Sequence, residues 1–227
     1  MGPLLAILVA AAVIAGIWYG YRAAQKRREE LFLFATELGT AFDPLPYGIH
    51  DQFSAFKPFG QGHSQESSNL ISGQVEGIDW QIFDYKYVTG SGKNQATHHY
   101  QIIAAGLPVS LPALEIRPEG WLDKVAGLVG FEDINFESEA FSRRYHVKCD
   151  DRKVAYDVIH PRMIEYLLGV DAVHWQIRGT RLLLIFSGKC SVERLKGAME
   201  RVRGFISLIP GYVREDRGLQ SERAAHR

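Results

Sequence analysis

The sequence predicts an α+β protein in which an N-terminal transmembrane helix precedes a mainly antiparallel sheet, flanking helices and a long C-terminal helix. Three observations predict this class. Residues 4–21 are apolar and uncharged, short runs of alternating hydrophobicity begin near residue 69, and a helical apolar stripe follows Ser191. About seven strands closed by a terminal helix also fit a variant, a pleckstrin-homology-like barrel with helical inserts.

The apolar run is long enough to be a membrane anchor, assigned to residues 1–21. At ~1.5 Å per residue it reaches roughly 27 Å, close to the ~30 Å hydrocarbon core of a bilayer. A cleaved secretory signal is the alternative interpretation. Such signals carry their positive charge before the apolar region, whereas here the charge follows it.

Aromatic and basic residues at the end of this run predict contact with the membrane interface. The predicted interface residues are Trp18, Tyr19, Tyr21, Arg22, Lys26, Arg27 and Arg28. Aromatic rings favour the headgroup layer, and basic residues accumulate on the cytoplasmic flank of a spanning helix. We therefore expect a single-pass inner-membrane protein with its C-terminal domain in the cytoplasm and the lipid bilayer as one partner.

A juxtamembrane amphipathic helix is predicted over residues 22–39. Its apolar face is formed by Leu31, Phe34, Ala35 and Leu38. These positions follow the i, i+3, i+4, i+7 spacing of one helix face, and Gly39 is placed to end the helix. Residues 40–68 are rich in proline and glycine and have no sustained period, so an irregular connection is expected there, packed through Phe53, Phe56 and Phe59.

The soluble domain is predicted over residues 69–213, and its first half consists of strands. They are expected at Leu70–Val75, Asp79–Val88, Thr97–Ala105 and Leu111–Arg117. The first two form a hairpin across Glu76-Gly77, and prolines place the fourth at a sheet edge. In the second strand, Trp80, Ile82 and Asp84 are predicted to face one side, and Phe83, Tyr85 and Tyr87 the other.

The second half of the domain is predicted to mix helices and strands. A helix is expected around Trp121–Gly130, a strand at Phe141–Lys148, helices at Asp151–Ile159 and from Pro161, a second hairpin at Ala172–Ile177 and Leu182–Ser187, and a final helix from Ser191 to Pro210. Ser191 is a good N-cap, and proline suits the first turn of a helix. Residues 214–227 are polar without period and are predicted to be a disordered tail.

Composition excludes some function classes. The 26 basic and 26 acidic residues give zero formal net charge, which argues against a nucleic-acid partner because phosphate binding needs a basic face. Cys149 and Cys190 are far apart and form no C-x-x-C motif, so they are predicted to be buried thiols. No metal, cofactor or catalytic residue is predicted.

Two local patterns imitate functional motifs. The loop Gly90–Lys93 lacks the first glycine and the final Ser or Thr of a phosphate-binding loop and joins two strands, so it is interpreted as a hairpin tip. His98 and His99 are adjacent on a strand and therefore point to opposite faces, which prevents them from sharing a metal.

Five polar residues form a candidate site in an alternative interpretation, a membrane-tethered hydrolase-like enzyme. They are Asp84, His98, His99, Arg117 and Arg144. A His–Asp pair across the β-hairpin can act as a general base, although no nucleophile stands at a recognisable spacing.

Several segments carry a family resemblance. They are FDYKY (Phe83–Tyr87), LEIRPEG (Leu114–Gly120), DINFES (Asp133–Ser138), FSRRYHV (Phe141–Val147) and AYDVIHPRMIEYLL (Ala155–Leu168). Over residues 30–210 the chain resembles a bacterial family, notably actinobacterial, of single-pass membrane proteins with one soluble α+β domain and no known activity. The resemblance implies no catalytic residue. The anchor, the zero net charge and the lack of a complete catalytic constellation make a membrane-anchored cytoplasmic binding or scaffold domain the leading hypothesis, with an unknown protein or lipid as its partner.

Overall fold

The computed structural model describes residues 3–120 and 134–214 of the chain. Its helices are α1 (Pro3–Glu37), α2 (Glu139–Arg144), α3 (Arg152–Val158), α4 (Pro161–Gly169) and α5 (Val192–Leu208). Its strands are β1 (Ala41–Asp43), β2 (His63–Val75), β3 (Ile78–Thr89), β4 (Ala96–Pro118), β5 (Tyr145–Cys149) and β6 (His174–Ser187). Short 3₁₀ helices lie at Ile49–Phe53 and Gly92–Asn94.

Helix α1 joins the predicted anchor to the domain without a break. It has 35 residues, and it is long and apolar enough to cross a membrane. Its C-terminal part turns buried side chains, including Leu31 and Phe34, onto the sheet. The helix ends where Gly39 adopts a left-handed conformation and the Thr40 N–H donates to the Ala35 carbonyl at 2.9 Å.

The six strands form one antiparallel sheet with β4 at its centre. The order is β1-β2-β3-β4-β5, and β6 also pairs with β4. The first half of β4 lies between β3 and β6, and its second half lies between β5 and β6. Within residues 3–120 and 134–214, no ladder joins β1 to β5 or β6, so the sheet is open and does not form the barrel variant.

Two strand predictions were wrong because bends in long strands were interpreted as strand ends. Strand β4 runs continuously through both predicted strands, and Leu111–Arg117 lies inside the sheet instead of at an edge. The predicted hairpin across Arg178-Gly179 is the single strand β6. Both bends fall at one place, where the β4–β6 register shifts between Gly106 and Leu114. Glycine and proline are tolerated at such bulges.

Four further predictions differ from the structure or lie outside the described residues. Phe141–Arg144 is helical, because Ser138 caps α2 by accepting a hydrogen bond from the Phe141 N–H at 3.3 Å. Segment 40–68 contains β1 and the start of β2 and is less irregular than expected. The helix expected around Trp121–Gly130 and the tail after Arg214 lie outside the described residues.

The two faces of the sheet are covered by different parts of the chain. The predicted alternation along β3 is confirmed: Trp80 and Ile82 belong to the helix-covered core, and Phe83, Tyr85 and Tyr87 belong to a separate cluster. That second cluster, the aromatic face, is covered by Ile49, Phe53, Phe56 and Phe59. The predicted stripe of α5 is buried on the helix face, from Leu195 to Ile206.

Candidate functional site at the junction of helix α1 and the sheet

A buried ion pair joins the N-terminal helix to the sheet. Arg27 lies on α1, ten residues before its end, and Asp84 lies near the middle of β3. The Arg27 Nε donates to Asp84 Oδ2 at 2.9 Å, and Arg27 Nη2 donates to Asp84 Oδ1 at 2.7 Å. Only 13% of the Arg27 side chain and 7% of the Asp84 side chain are exposed. This bidentate geometry is the strongest arrangement for such a pair.

Three more groups complete the network around this pair. Arg27 Nη2 also donates to Gln101 Oε1 at 2.7 Å, and Arg27 Nη1 donates to the Cys190 carbonyl at 2.9 Å. Asn69 Nδ2 donates to Asp84 Oδ2 at 2.9 Å. The Arg27 side chain therefore connects α1 to β3, to β4 and to the residues that lead into α5.

The electrostatics of the network keep Arg27 charged in spite of its burial. Burial alone would lower the pKa of the guanidinium, but the hydrogen bonds and the negative charge of Asp84 outweigh it and leave the pKa above its ordinary value. Each charge neutralises the other in a place where an unpaired charge would be costly.

The network changes the interpretation of the predicted interface residues. Arg27 turns into the domain and does not extend toward the membrane surface. The neighbouring Lys26 side chain is 79% exposed to solvent. The Arg22 guanidinium lies 5.0 Å from the Trp18 ring centroid. Sequence reasoning assigned all the basic residues of this cluster one role, and the structure gives Arg27 a separate one.

Asp84 and His99 share a small polar cleft of about 150 Å³. The cleft is also lined by Glu66, Ser68, Tyr85, Lys86, Tyr100 and Lys189. His98 points to the opposite side of the sheet, where its ring stacks on Tyr87 and its Nε2 lies 2.8 Å from the Thr89 hydroxyl. The carboxylate of Asp84 is engaged by Arg27 and Asn69, so the predicted His–Asp pair does not form.

The two remaining residues of the predicted polar site lie elsewhere. Arg117 is opposite His146 near the far end of β4. Arg144 donates to the carbonyls of Leu168 and Val170 at 2.6 and 2.5 Å, beside the C-terminal end of α4. Asp84 and His99 share the cleft, but His98, Arg117 and Arg144 lie away from it. The five residues therefore form no single site, and the hydrolase-like alternative loses the constellation it required.

Cys190 is a free thiol. Cys190 adjoins the network and is buried, whereas Cys149 is half-buried. Burial raises the pKa of the Cys190 thiol, which keeps it protonated and unreactive. Cys190 thus behaves as the small buried hydrophobic side chain that its sequence context predicted.

A second polar cluster fixes the segment that covers the aromatic face. His174 Nε2 lies 2.7 Å from Glu115 Oε1, and both side chains are largely buried. The neighbouring Gln176 clamps the backbone of Lys57, donating to its carbonyl at 2.8 Å and accepting from its N–H at 3.0 Å. No sequence pattern indicated this cluster, because its members are brought together only by the pairing of β4 with β6.

We expect the Glu115 cluster to make the free energy of unfolding depend on pH in the acid range. Burial opposes ionisation of Glu115, but His174, Arg117 and Lys57 outweigh it and lower the Glu115 pKa. Its contribution is therefore complete above its unfolded pKa of about 4.3 and is lost as pH falls through the lower folded value. In Glu115→Gln, the free energy of unfolding at neutral pH should fall by roughly 1–3 kcal/mol.

Urea unfolding of the full chain in detergent, repeated between neutral and acid pH, measures both effects. The Glu115→Gln variant should also lose less stability than the parent as pH falls below the unfolded value. Glu137→Gln removes an exposed carboxylate and is the matched control. Identical pH profiles for Glu115→Gln and the parent would contradict the expectation.

A groove of about 550 Å³ lies between α3, α4 and the residues that precede α2. Its walls include Phe136, Ile159, Ile164 and Leu168, with Glu137 and Glu165 among the polar lining residues. Its size is within the range of ligand pockets. No group of three or more His, Cys, Asp or Glu residues that could hold a metal ion occurs in the part of the chain that the structure describes.

Comparison with known proteins shows a fold and no family. No family model matches the chain, and no curated protein matches it. The chain is similar to the crystal structure of the mycobacterial trehalose monomycolate transport factor A, TtfA, with a TM-score of 0.56 and 13% identity. The match covers 80% of this chain and 93% of that one. The likeness is one of fold, and it is consistent with the α+β class that the structure of this chain shows.

Proposed function

We propose that this protein is a single-pass inner-membrane protein whose cytoplasmic α+β domain binds a protein or lipid partner and catalyses no reaction. The Arg27 network carries the proposal, because it fixes the domain directly on the helix that is long and apolar enough to span a membrane. A domain held in this way keeps one orientation relative to the bilayer. Fixed orientation suits a scaffold that presents a surface to a partner in the same membrane.

The continuity of α1 supports this role. The helix passes from its exposed apolar part to its buried part, which begins at Leu31, without a glycine- or proline-rich linker. A tethered enzyme that searches for substrates benefits from a flexible linker, whereas a scaffold benefits from a rigid one. The dispersal of the candidate catalytic residues favours the same conclusion.

The fold neighbour is consistent with an accessory role. That mycobacterial protein is named a transport factor, and its similarity to this chain is one of fold. A mycobacterial neighbour also agrees with the resemblance of this sequence to an actinobacterial family of membrane-anchored α+β proteins. We infer that this chain is likewise an accessory component whose partner is a membrane protein or a lipid.

Reporter fusions test the anchor and the orientation. A fluorescent protein that folds only in the cytoplasm, fused to the C-terminus, should give a signal that sediments with membranes. A phosphatase that is active only outside the cytoplasm should stay inactive at the same position. Deletion of residues 1–21 should move the fluorescent fusion to the soluble fraction. Phosphatase activity, or a soluble full-length fusion, would contradict the proposal.

Turnover assays test the absence of catalysis. The purified full chain should not hydrolyse a panel of esters, phosphoesters and peptides above the background rate. Enzyme-like turnover that disappears in His99→Ala, in a variant whose far-UV circular dichroism matches the parent, would show that the cleft is an active site and that the binding role is wrong.

A further inference from the structure

We propose that one end of the sheet lies against the bilayer surface and that Lys93 and Lys189 contact anionic lipid headgroups there. This end, the membrane-proximal end, consists of the β3–β4 loop at residues 90–95 and, set back toward Arg27, the β6–α5 connection at residues 188–191, whose Cys190 carbonyl accepts from Arg27 Nη1. The inference rests on the proposed membrane anchor, and it adds a lipid-contact site to the domain.

The first step is that α1 runs alongside β2. At one point, the Cα of Thr40 lies 3.4 Å from the position that a Cβ would occupy on Gly73. At a second point, Arg27 binds Asp84, which is the register partner of Ser68. From residue 37 to residue 27 the helix α1 rises by roughly 15 Å, and from residue 73 to residue 68 a strand extends by roughly 17 Å. The two lengths agree, so the elements are nearly aligned.

The second step extends both elements toward the membrane. Beyond Asp84, strand β3 continues to Thr89, which adds roughly 17 Å at the rise of a strand. The same distance corresponds to about eleven residues of helix, which leads from Arg27 to the neighbourhood of Trp18. Trp18 lies at the end of the apolar run, where aromatic rings favour the headgroup layer. The β3–β4 loop is therefore placed at the level of the headgroups.

The third step is the charge at this end. Lys93 and Lys189 are exposed, and no salt bridge involves either of them in the described residues. By contrast, Lys86, which lines the nearby cleft, is paired with Glu66 at 2.9 Å. The Gly188 N–H donates to the His99 carbonyl at 2.8 Å, which holds the start of the β6–α5 connection against β4. Uncompensated lysines near a bilayer favour anionic lipids.

The opposite end of the sheet provides the contrast. It is formed by the β2–β3 turn at Glu76-Gly77, where Glu76 pairs with Arg203 at 3.1 Å. Gln74, next to this turn, is exposed. The alignment of α1 with β2 places Gln74 far from the headgroups, so a probe at this position is a matched distal control for a probe in the β3–β4 loop.

The experiment measures the distance of each end from the bilayer. The full chain, in a Cys149→Ser background that leaves the buried Cys190, is placed in nanodiscs of phosphatidylcholine and phosphatidylglycerol. A fluorophore is attached at Ser91→Cys or at Gln74→Cys, and quenching by a lipid with a nickel-chelating headgroup is recorded. The Ser91 position should be strongly quenched and the Gln74 position weakly. Equal quenching in a chain that remains in the nanodisc would overturn the inference and leave the anchor intact.

A second measurement tests the lysines. Acyl-chain-labelled phosphatidylglycerol and phosphatidylcholine are compared as energy-transfer acceptors for the Ser91→Cys fluorophore. The anionic lipid should give several-fold more transfer, and Lys93→Gln with Lys189→Gln should abolish the preference. Lys153→Gln, an exposed lysine of α3, should retain it. No preference for the anionic lipid in the parent chain would overturn the lysine contact. Failure of the chain to insert into nanodiscs would overturn both this inference and the proposed function.

Discussion

Replacing Arg27 by methionine is expected to lower the free energy of unfolding by about 3–5 kcal/mol, the usual cost of leaving one member of a buried ion pair alone. Asp84 would keep its hydrogen bond from Asn69 but lose both bonds and the positive charge that Arg27 supplies. The loss should appear as a lower urea midpoint for the full chain in detergent, followed by far-UV circular dichroism.

A double variant separates the lost pair from lost packing. Arg27→Met with Asp84→Leu removes both charges, and replacing a buried pair by apolar groups is frequently close to neutral. We therefore expect the double variant to be more stable than Arg27→Met alone. Lys26→Met is the control, because this neighbouring side chain is exposed and should change stability by less than about 0.5 kcal/mol. An Arg27→Met variant as stable as Lys26→Met would show that the pair contributes nothing.

Local periodicity made the helices and the central hairpin predictable. The spacing of Leu31, Phe34 and Ala35 predicts one apolar face of α1, and these residues are buried. Alternation along β3 separated Trp80 from Phe83 correctly. Each of these features depends on residues within a few positions of one another, so one sequence is sufficient to show them.

Signals with two structural meanings produced the errors. Arg178-Gly179 and the prolines near Leu111 were interpreted as turn and edge signals, yet they mark bends in two long strands that stay paired. Glycine with a positive φ suits a hairpin turn and a β-bulge equally. Only the pairing of β4 with β6, which joins distant parts of the chain, shows that these positions are bulges and not hairpin turns.

The central contact of the candidate site was beyond sequence reasoning for a related reason. Arg27 and Asp84 are separated by 57 positions, and their meeting depends on which strand lies beneath α1. The basic cluster after an apolar run already had a sufficient explanation in membrane topology. The alternation along β3 predicts Asp84 on the face that carries Trp80, and there its carboxylate pairs with Arg27 and not with the histidine expected for it.

The second large effect is expected at Phe53, because it covers the aromatic face of the sheet. Its ring is fully buried, and its centroid lies 5.5 Å from that of Phe59 and 5.5 Å from that of Phe83. Phe53→Ala should lower the free energy of unfolding by about 3–5 kcal/mol, through lost burial and the cavity left behind. The same urea titration measures the loss, and proteolysis of segment 49–60 should become faster than in the parent.

Tyr47→Ala is the control for this prediction, because Tyr47 lies just before this segment and is fully exposed. Its change should stay within about 0.5 kcal/mol. If Phe53→Ala were as stable as Tyr47→Ala, the segment would be a dispensable loop and the aromatic face would tolerate exposure to water. A large loss confined to Phe53→Ala would instead mean that the sheet needs a cover on both faces: the helices on one, and a short aromatic segment, clamped at Lys57 by Gln176, on the other.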